Sequence, residues 1–262
     1  MATAIVQKSG ANVVSHAEWL AARKQFLAKE KELTHLRDEL SRQRRELPWE
    51  KVEKRYTFDG PNGKLALDEL FGESSQLIVY HLMFGPGWKE ACPSCSMISD
   101  QFDSIRVHML QRDTNLIAVS RATFPEIEAF KKRMGWKFPW VSSFGSDFNS
   151  DYNVSFALHD AENGKIVYNY ETATFPAEEA PGVSVFHRKD GEVFHTYSSF
   201  GRGLDIMLNV YNFLDLTPKG RNEEGLPWPM AWVRHHDKYG DPKAFDAMML
   251  FAQAKDNCCS KK

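Results

Sequence analysis

Leu77-Ile78-Val79-Tyr80-His81-Leu82-Met83-Phe84 runs into Gly85-Pro86-Gly87-Trp88 and then into Cys92-Pro93-Ser94-Cys95. The apolar run has the length and β-branched content of a buried strand. Gly85-Pro86-Gly87 breaks it. After Cys95, the residues Ile98, Phe102, Ile105 and Met109 recur at helical spacing, so a helix with one core-facing side begins at the cysteines. Pro93 suits the first helical turn, where its missing N–H costs nothing. The order strand, loop, Cys-x-x-Cys, helix puts Cys92 beside unpaired backbone N–H groups that favour a thiolate. Cys95, one turn further in, is placed to resolve a mixed disulfide formed at Cys92.

Working outward, Asn115-Leu116-Ile117-Ala118-Val119 reads as a second buried strand. Thr123 and Glu126 have capping-box spacing ahead of a helix that buries Ile127, Phe130 and Met134 and ends at Gly135. Phe138 to Val141 reads as a short third strand. This strand–helix alternation predicts a parallel sheet core. The pattern then changes: Val183 to Phe186 and Val193 to Tyr197 flank Lys189-Asp190-Gly191, the signature of an antiparallel hairpin. A helix from about Leu204 to Leu214 closes the domain.

Upstream, Tyr56-Thr57-Phe58 and Lys64-Leu65-Ala66-Leu67 flank Asp59-Gly60-Pro61-Asn62-Gly63, a second hairpin, and Asp68 precedes a short helix with Leu70 and Phe71. The first segment is a charged helix that starts at a Ser15/Glu18 capping box and stops before Pro48. Trp19, Phe26, Leu33, Leu40 and Leu47 form one stripe along it, either lying on the same chain or contacting a second copy as a homodimer. The expected organisation is a helical arm over 1–55, an α/β domain over 56–217 and a C-terminal extension over 218–262. Within the domain, about 142–181 forms an aromatic and acidic insertion; the extension carries a helix from about Pro242 to Ala254 and a flexible tail.

Composition narrows the function classes. The chain has 262 residues, 42% of them hydrophobic, and a net charge of −2, which favours neither nucleic acid nor an anionic membrane as partner. The longest apolar run is too short to span a bilayer, and Met1 to Gly10 lacks the apolar core of a signal peptide, so the expected location is the cytoplasm. There a Cys-x-x-Cys is catalytic, redox-sensing or metal-binding. A structural zinc site wants a second such pair, and the vicinal Cys258-Cys259 in a polar tail is a poor one. Neither Asp147, Asp151 and His159 nor His235, His236 and Asp237 has a recognisable ligand spacing. Dithiol chemistry needs no cofactor and no metal. Trp136, Trp140, Phe144, Phe148 and Tyr152 either line a groove beside Cys92 or pack the core; Arg202, Lys219 and Arg221 either hold an anion or form surface ion pairs.

Trp88-Lys89-Glu90-Ala91-Cys92-Pro93-Ser94-Cys95 resembles the W-x-x-x-C-x-x-C of thioredoxins, and Phe58…Gly63…Leu67…Leu70-Phe71 resembles the N-terminal hairpin of peroxiredoxin-like relatives. Pro181, just before the strand at Val183, sits where that superfamily places a cis-proline facing the dithiol. From about Leu20 to Tyr239 the chain resembles DUF899, a bacterial family of thioredoxin-like proteins. Segments carrying this are Phe84 to Trp88, Gly135 to Trp140, Ser143 to Asn149, Gly182 to Phe186, Phe194 to Ser198, Leu216 to Arg221 and Trp232 to Asp237.

The resemblance implies a three-layer thioredoxin-like α/β fold with a mixed central sheet, an N-terminal helical extension and a C-terminal extension. It implies a dithiol–disulfide oxidoreductase with Cys92 and Cys95 as reacting groups, supported by Trp88, Lys89, Pro93 and Pro181. Its partners would be a disulfide-bearing protein or small molecule and an unidentified electron donor. Two positions depart from better-known relatives. Pro86 stands where thioredoxins carry a buried acid, so the proton acceptor for the resolving thiol is missing or is replaced by His81 or Glu90. Lys89 stands where peroxiredoxins carry Thr, which argues against their peroxide pocket, while its charge would lower the pKa of Cys92. Two other readings stay open: a thioredoxin-fold binding or scaffold protein without catalysis, and an enzyme working through polar residues of the insertion.

Overall fold

A computed structural model describes residues 12–240. The chain divides at Pro48 into two units. The first is helix α1 (His16–Arg44). Its N-terminus is a complete capping box: the Glu18 N–H donates to Ser15 Oγ at 3.3 Å, and the Glu18 carboxylate accepts the Ser15 N–H at 2.9 Å. No residue of α1 is buried, and Trp19, Phe26, Leu33 and Leu40 of the expected stripe are each about half exposed. The arm ends at Pro48 rather than at residue 55, because the next residues already pair into the sheet.

The second unit runs β1 (Glu50–Lys51), β2 (Thr57–Gly60), β3 (Gly63–Ala66), a 3-10 turn at Glu69–Phe71 and β4 (Gln76–His81). Next come α2 (Pro93–Ser99), α3 (Phe102–Leu110), β5 (Thr114–Ser120), α4 (Phe124–Met134) and β6 (Trp140–Ser142). The insertion contributes α5 (Phe148–Asp151), α6 (Leu158–Glu162), β7 (Ile166–Tyr168) and β8 (Glu171–Ala173). The hairpin β9 (Gly182–Lys189) and β10 (Glu192–Phe200) follows, then a 3-10 helix at Gly201–Met207 and α7 (Asn209–Leu214). The expected Leu204–Leu214 helix is thus two pieces, broken at Leu208, whose ψ of 68° is not helical.

Eight strands form one sheet in the order β1-β10-β9-β4-β5-β6-β2-β3. β4, β5 and β6 are parallel to one another, while β9 and β10 are antiparallel to their neighbours. Two parallel strands each followed by helix, then an antiparallel hairpin added on the other side of the first, is the thioredoxin-like arrangement. The β9–β10 turn places Asp190 and Gly191 at φ 53° and 79°, the left-handed pair that a two-residue hairpin turn requires.

β4 lies at the centre and is buried on both faces. Tyr80, with Leu82 just beyond the strand, joins a core with Phe102, Phe130 and Trp140 beneath α2, α3 and α4. Leu77 and Val79 join a second core with Phe58, Phe71, Phe148 and Phe186, covered by the Glu69–Phe71 turn and α5. The insertion packs Val154, Ala161, Ile166 and Tyr168 into a small third core against Phe200 at the end of β10. Of the C-terminal extension, Ala231, Val233 and His235 are buried. The helix expected at Pro242 to Ala254, and Cys258 and Cys259, lie outside the described residues. No helix among the described residues is long and apolar enough to cross a membrane.

Phe102 anchors the floor under α2, edge-on to Tyr80 at 5.4 Å and to Phe138 at 5.2 Å between ring centroids. Phe102→Ala should cost about 3–5 kcal/mol in urea unfolding; a loss below about 1 kcal/mol would show that this layer does not support the fold as described.

Candidate active site

The loop after β4 is tied down where chemistry needs it. The Cys92 N–H donates to the Met83 carbonyl at 2.9 Å, which fixes the cysteine against the end of the central strand. Cys92 is the N-cap of α2, with an extended ψ of 128°, and Pro93 takes the first helical position. The Cys92 carbonyl accepts both the Ser96 N–H and the Ser96 hydroxyl, each at 2.9 Å. Cys92 is half-buried, Cys95 is buried, and both are free thiols.

The two sulfurs are in different environments. Cys92 is lowered to about 7, chiefly by a hydrogen bond from the Cys95 thiol and further by the backbone N–H groups of Cys95 and Ser94 and the Ser94 hydroxyl, which together outweigh its burial. Cys95 is pushed well up by burial, by that same hydrogen bond and by the charge on Cys92. The Tyr80 hydroxyl opposes this rise; it faces Cys95, is fully buried, and has no oxygen or nitrogen partner. The arrangement sets a lowered thiol at Cys92 beside a raised one at Cys95.

Around the dithiol, the Trp88 indole N–H donates to Glu178 Oε1 at 3.1 Å. Gly85 lets the indole lie against the backbone, since a Cβ there would sit 2.8 Å from Trp88 Nε1. Next to Glu178, Glu179 is 1% exposed; it accepts from Arg121 Nε at 2.6 Å and from the Ser155 hydroxyl at 2.5 Å. Burial raises the Glu179 pKa in spite of Arg121. Glu178, Glu179 and Arg121 escaped the sequence reading, because nothing in local spacing couples residue 121 to residue 179.

The expected supporting residues fall out differently. Lys89 is exposed, and the groups that depress Cys92 are Cys95 and Ser94, so hydrogen bonds do what was expected of the lysine charge. Glu90 is bound by Arg133 at 2.6 Å and by the Lys238 ammonium, with His235 Nδ1 3.5 Å away. His235 Nε2 also reaches the Ala91 carbonyl at 2.8 Å, so this cluster clamps the loop before Cys92. His81 points to the other face of the sheet, onto Ser184 Oγ at 2.9 Å. His81 is therefore turned to the other face and Glu90 is engaged by Arg133 and Lys238, while the Tyr80 hydroxyl acts on Cys95. Pro181 lies at the dithiol end of the sheet, immediately before Gly182, which pairs with His81. Its peptide bond is trans, as are all those among the described residues, and its carbonyl accepts the Tyr168 hydroxyl at 2.8 Å.

Of the candidate groove residues, Trp136, Trp140 and Phe148 are core, and Phe144 is half exposed. Asp147 and Asp151 share the Lys54 ammonium at 2.8 and 2.7 Å. His236 bonds Asp100 and Asp237 bonds Arg133. Among the described residues no three potential ligands cluster around a metal-sized space. Arg202 pairs with Asp205 and Arg221 with Asp215, which settles them as ion pairs.

A Cys92 thiolate fraction that grows as pH rises through about 7 sets a reactivity profile. Alkylation by iodoacetamide, followed peptide by peptide, should modify Cys92 with a midpoint near that pH and leave Cys95 unmodified. A midpoint at the free-cysteine value of about 8.5 would contradict the hydrogen-bonded arrangement.

Comparison of the chain path finds similar solved structures. One is a cysteine-to-serine mutant of PrxQ from Xylella fastidiosa: 13% identity over 63% of this chain and 94% of that one, TM-score 0.41. Another is the peroxidoxin BcpB from Mycobacterium tuberculosis: 14% identity over 62% of this chain and 94% of that one, TM-score 0.42. Among curated proteins no match is found. The model of the family described as a bacterial protein of unknown function, DUF899, matches residues 8–239, and the chain belongs to that family.

Proposed function

We propose that this protein is a cytoplasmic thiol–disulfide oxidoreductase that reduces or exchanges disulfides through Cys92 and Cys95. The observation that carries the reading is the placement of a half-buried Cys92 at the N-cap of α2, one turn before the buried Cys95, where Cys95 and the backbone N–H groups of Ser94 and Cys95 lower it to about 7. A thiol near that value combines a large thiolate fraction with retained nucleophilicity.

Cys92 S⁻ attacks one sulfur of a substrate disulfide. A Cys92–substrate bond forms, the substrate S–S bond breaks, and the departing thiolate takes a proton. The charge that had raised Cys95 is then gone. Cys95 loses its proton, attacks Cys92 Sγ and expels the second substrate thiolate. The substrate has gained two electrons and two protons, and the protein holds a Cys92–Cys95 disulfide. An external dithiol donor returns the pair to the reduced state. The Tyr80 hydroxyl would favour the charged form of that sulfur. Trp88, held by Glu178, and the stretch ending at Pro181 form the rim that a substrate would meet.

Reduction of an insulin disulfide with dithiothreitol as donor tests the cycle. Cys92→Ser should abolish turnover, and Cys95→Ser should leave Cys92 trapped as a mixed disulfide visible by intact mass. A wild-type rate no faster than dithiothreitol alone, with no adduct trapped in Cys95→Ser, would overturn the reading in favour of a binding protein.

A further inference from the structure

A second cluster lies on the opposite face of the sheet from the dithiol, around a pocket of about 600 Å³. Three features of the backbone build it. First, β10 carries a bulge between His195 and Tyr197. Residues three apart on a regular strand point to opposite faces, but one extra residue restores them to the same face, so the His195 ring reaches Ser198. Second, Glu50 of β1 is the direct cross-strand partner of His195. Third, Ser198 is the direct partner of Ser184 on β9. The outcome is a continuous chain: Glu50 Oε2 to His195 Nδ1 at 3.5 Å, His195 Nε2 to Ser198 Oγ at 2.7 Å, Ser198 Oγ to Ser184 Oγ at 2.9 Å, and Ser184 Oγ to His81 Nε2 at 2.9 Å.

The direction of these hydrogen bonds follows from the buried end. His81 is 1% exposed and its Nδ1 has no partner. Burial, with some contribution from His195, lowers His81 to about 3, so it is neutral. An orphaned N–H in a protein interior costs more than an orphaned lone pair. Nδ1 is therefore the lone pair and Nε2 carries the proton. His81 Nε2–H then donates to Ser184, the Ser184 hydroxyl donates to Ser198, and the Ser198 hydroxyl donates to His195 Nε2. His195 is left with its proton on Nδ1, aimed at the Glu50 carboxylate. This is the tautomer a general base needs: Nε2 open to the serine proton and Nδ1–H held by a carboxylate.

We propose that Glu50, His195 and Ser198 form a second active centre, a serine nucleophile with its base and orienting acid, that hydrolyses a small neutral or cationic carboxylic ester. His195 and Ser198 both line the pocket, together with the rings of Tyr56, Tyr152, Tyr170 and Phe200, which suit a flat apolar acyl or alcohol group. Its two ammonium groups are committed, Lys51 to Glu192 and Lys54 to Asp147 and Asp151, so an anionic ester has no free cation to meet. In the first step Ser198 Oγ bonds to the acyl carbon while its proton passes to His195 Nε2. His195 returns that proton to the leaving alcohol as the acyl C–O bond breaks. Water then gives a proton to His195 and its oxygen to the acyl carbon, and Ser198 leaves with the proton. No electrons are transferred, so the site is chemically independent of Cys92.

A fluorophosphonate probe, which marks activated serines, tests this on the full-length protein with its thiols first blocked by iodoacetamide. The expected result is a single adduct mapped by mass spectrometry to Ser198, with hydrolysis of 4-nitrophenyl acetate lost in proportion to labelling. His195→Gln, a partly exposed position, should slow labelling by about 100-fold or more while the circular dichroism spectrum stays native. Glu50→Gln, at an exposed position, should slow it by about 10-fold, the weaker effect expected of a solvent-screened carboxylate. No adduct on the folded wild type, an adduct elsewhere, or unchanged labelling in His195→Gln would overturn the proposal. Because the blocked protein cannot reduce disulfides, neither result bears on the dithiol.

Discussion

The two-sided burial of β4 is the constraint from which the rest follows. Tyr80 and His81 are neighbours in sequence, yet a strand sends successive side chains to opposite faces. Tyr80 consequently stands under the dithiol and His81 under the Ser184–Ser198 pair. Because β5 and β9 flank β4, both environments are held in register by backbone hydrogen bonds along its whole length. A single-residue slip would exchange the two faces, taking Tyr80 from the dithiol and His81 from Ser184 at once. The bond from the Cys92 N–H to the Met83 carbonyl carries this fixed register one step further, from the strand into the loop that bears the dithiol.

The dithiol itself is an exercise in asymmetry. The two sulfurs are coupled, and their interaction favours the thiolate at only one of them. Cys92 wins, because it also receives the backbone N–H groups of Ser94 and Cys95 and keeps some access to solvent. Cys95 loses, because it is surrounded by the core and by its partner's charge. Distant residues defend this geometry rather than take part in it. Arg133, Lys238 and His235 converge on Glu90, and so a charge cluster formed partly by the C-terminal extension locks the loop immediately ahead of Cys92.

Features with a local physical cause were legible in the sequence. The Thr123/Glu126 capping box, the Asp190-Gly191 turn and the strand–loop–dithiol–helix order each depend on residues a few positions apart, and each is present in the structure. What escaped depends on tertiary proximity. Glu179 meets Arg121 across 58 positions, and Glu90 meets Lys238 across 148. Lys89 misled for the same reason: its charge is near Cys92 in sequence, but the exposed side chain leaves the sulfur to closer hydrogen bonds. The bulge in β10 was also invisible, since Phe194-His195-Thr196-Tyr197-Ser198 scans as an ordinary strand and only the partner's register shows the extra residue. Pro181 immediately precedes Gly182, which pairs with His81, and its peptide bond is trans rather than the expected cis.

The proposed chemistry requires Cys92 and Cys95 to act as one two-electron couple. Equilibration of the full-length protein across a series of oxidised and reduced glutathione ratios, acid quenching and peptide mass analysis test this directly. The prediction is a reversible loss of two hydrogens from the single peptide that contains both cysteines, restored by dithiothreitol. Accumulation of glutathione on Cys92 while Cys95 stays reduced at every ratio would contradict it.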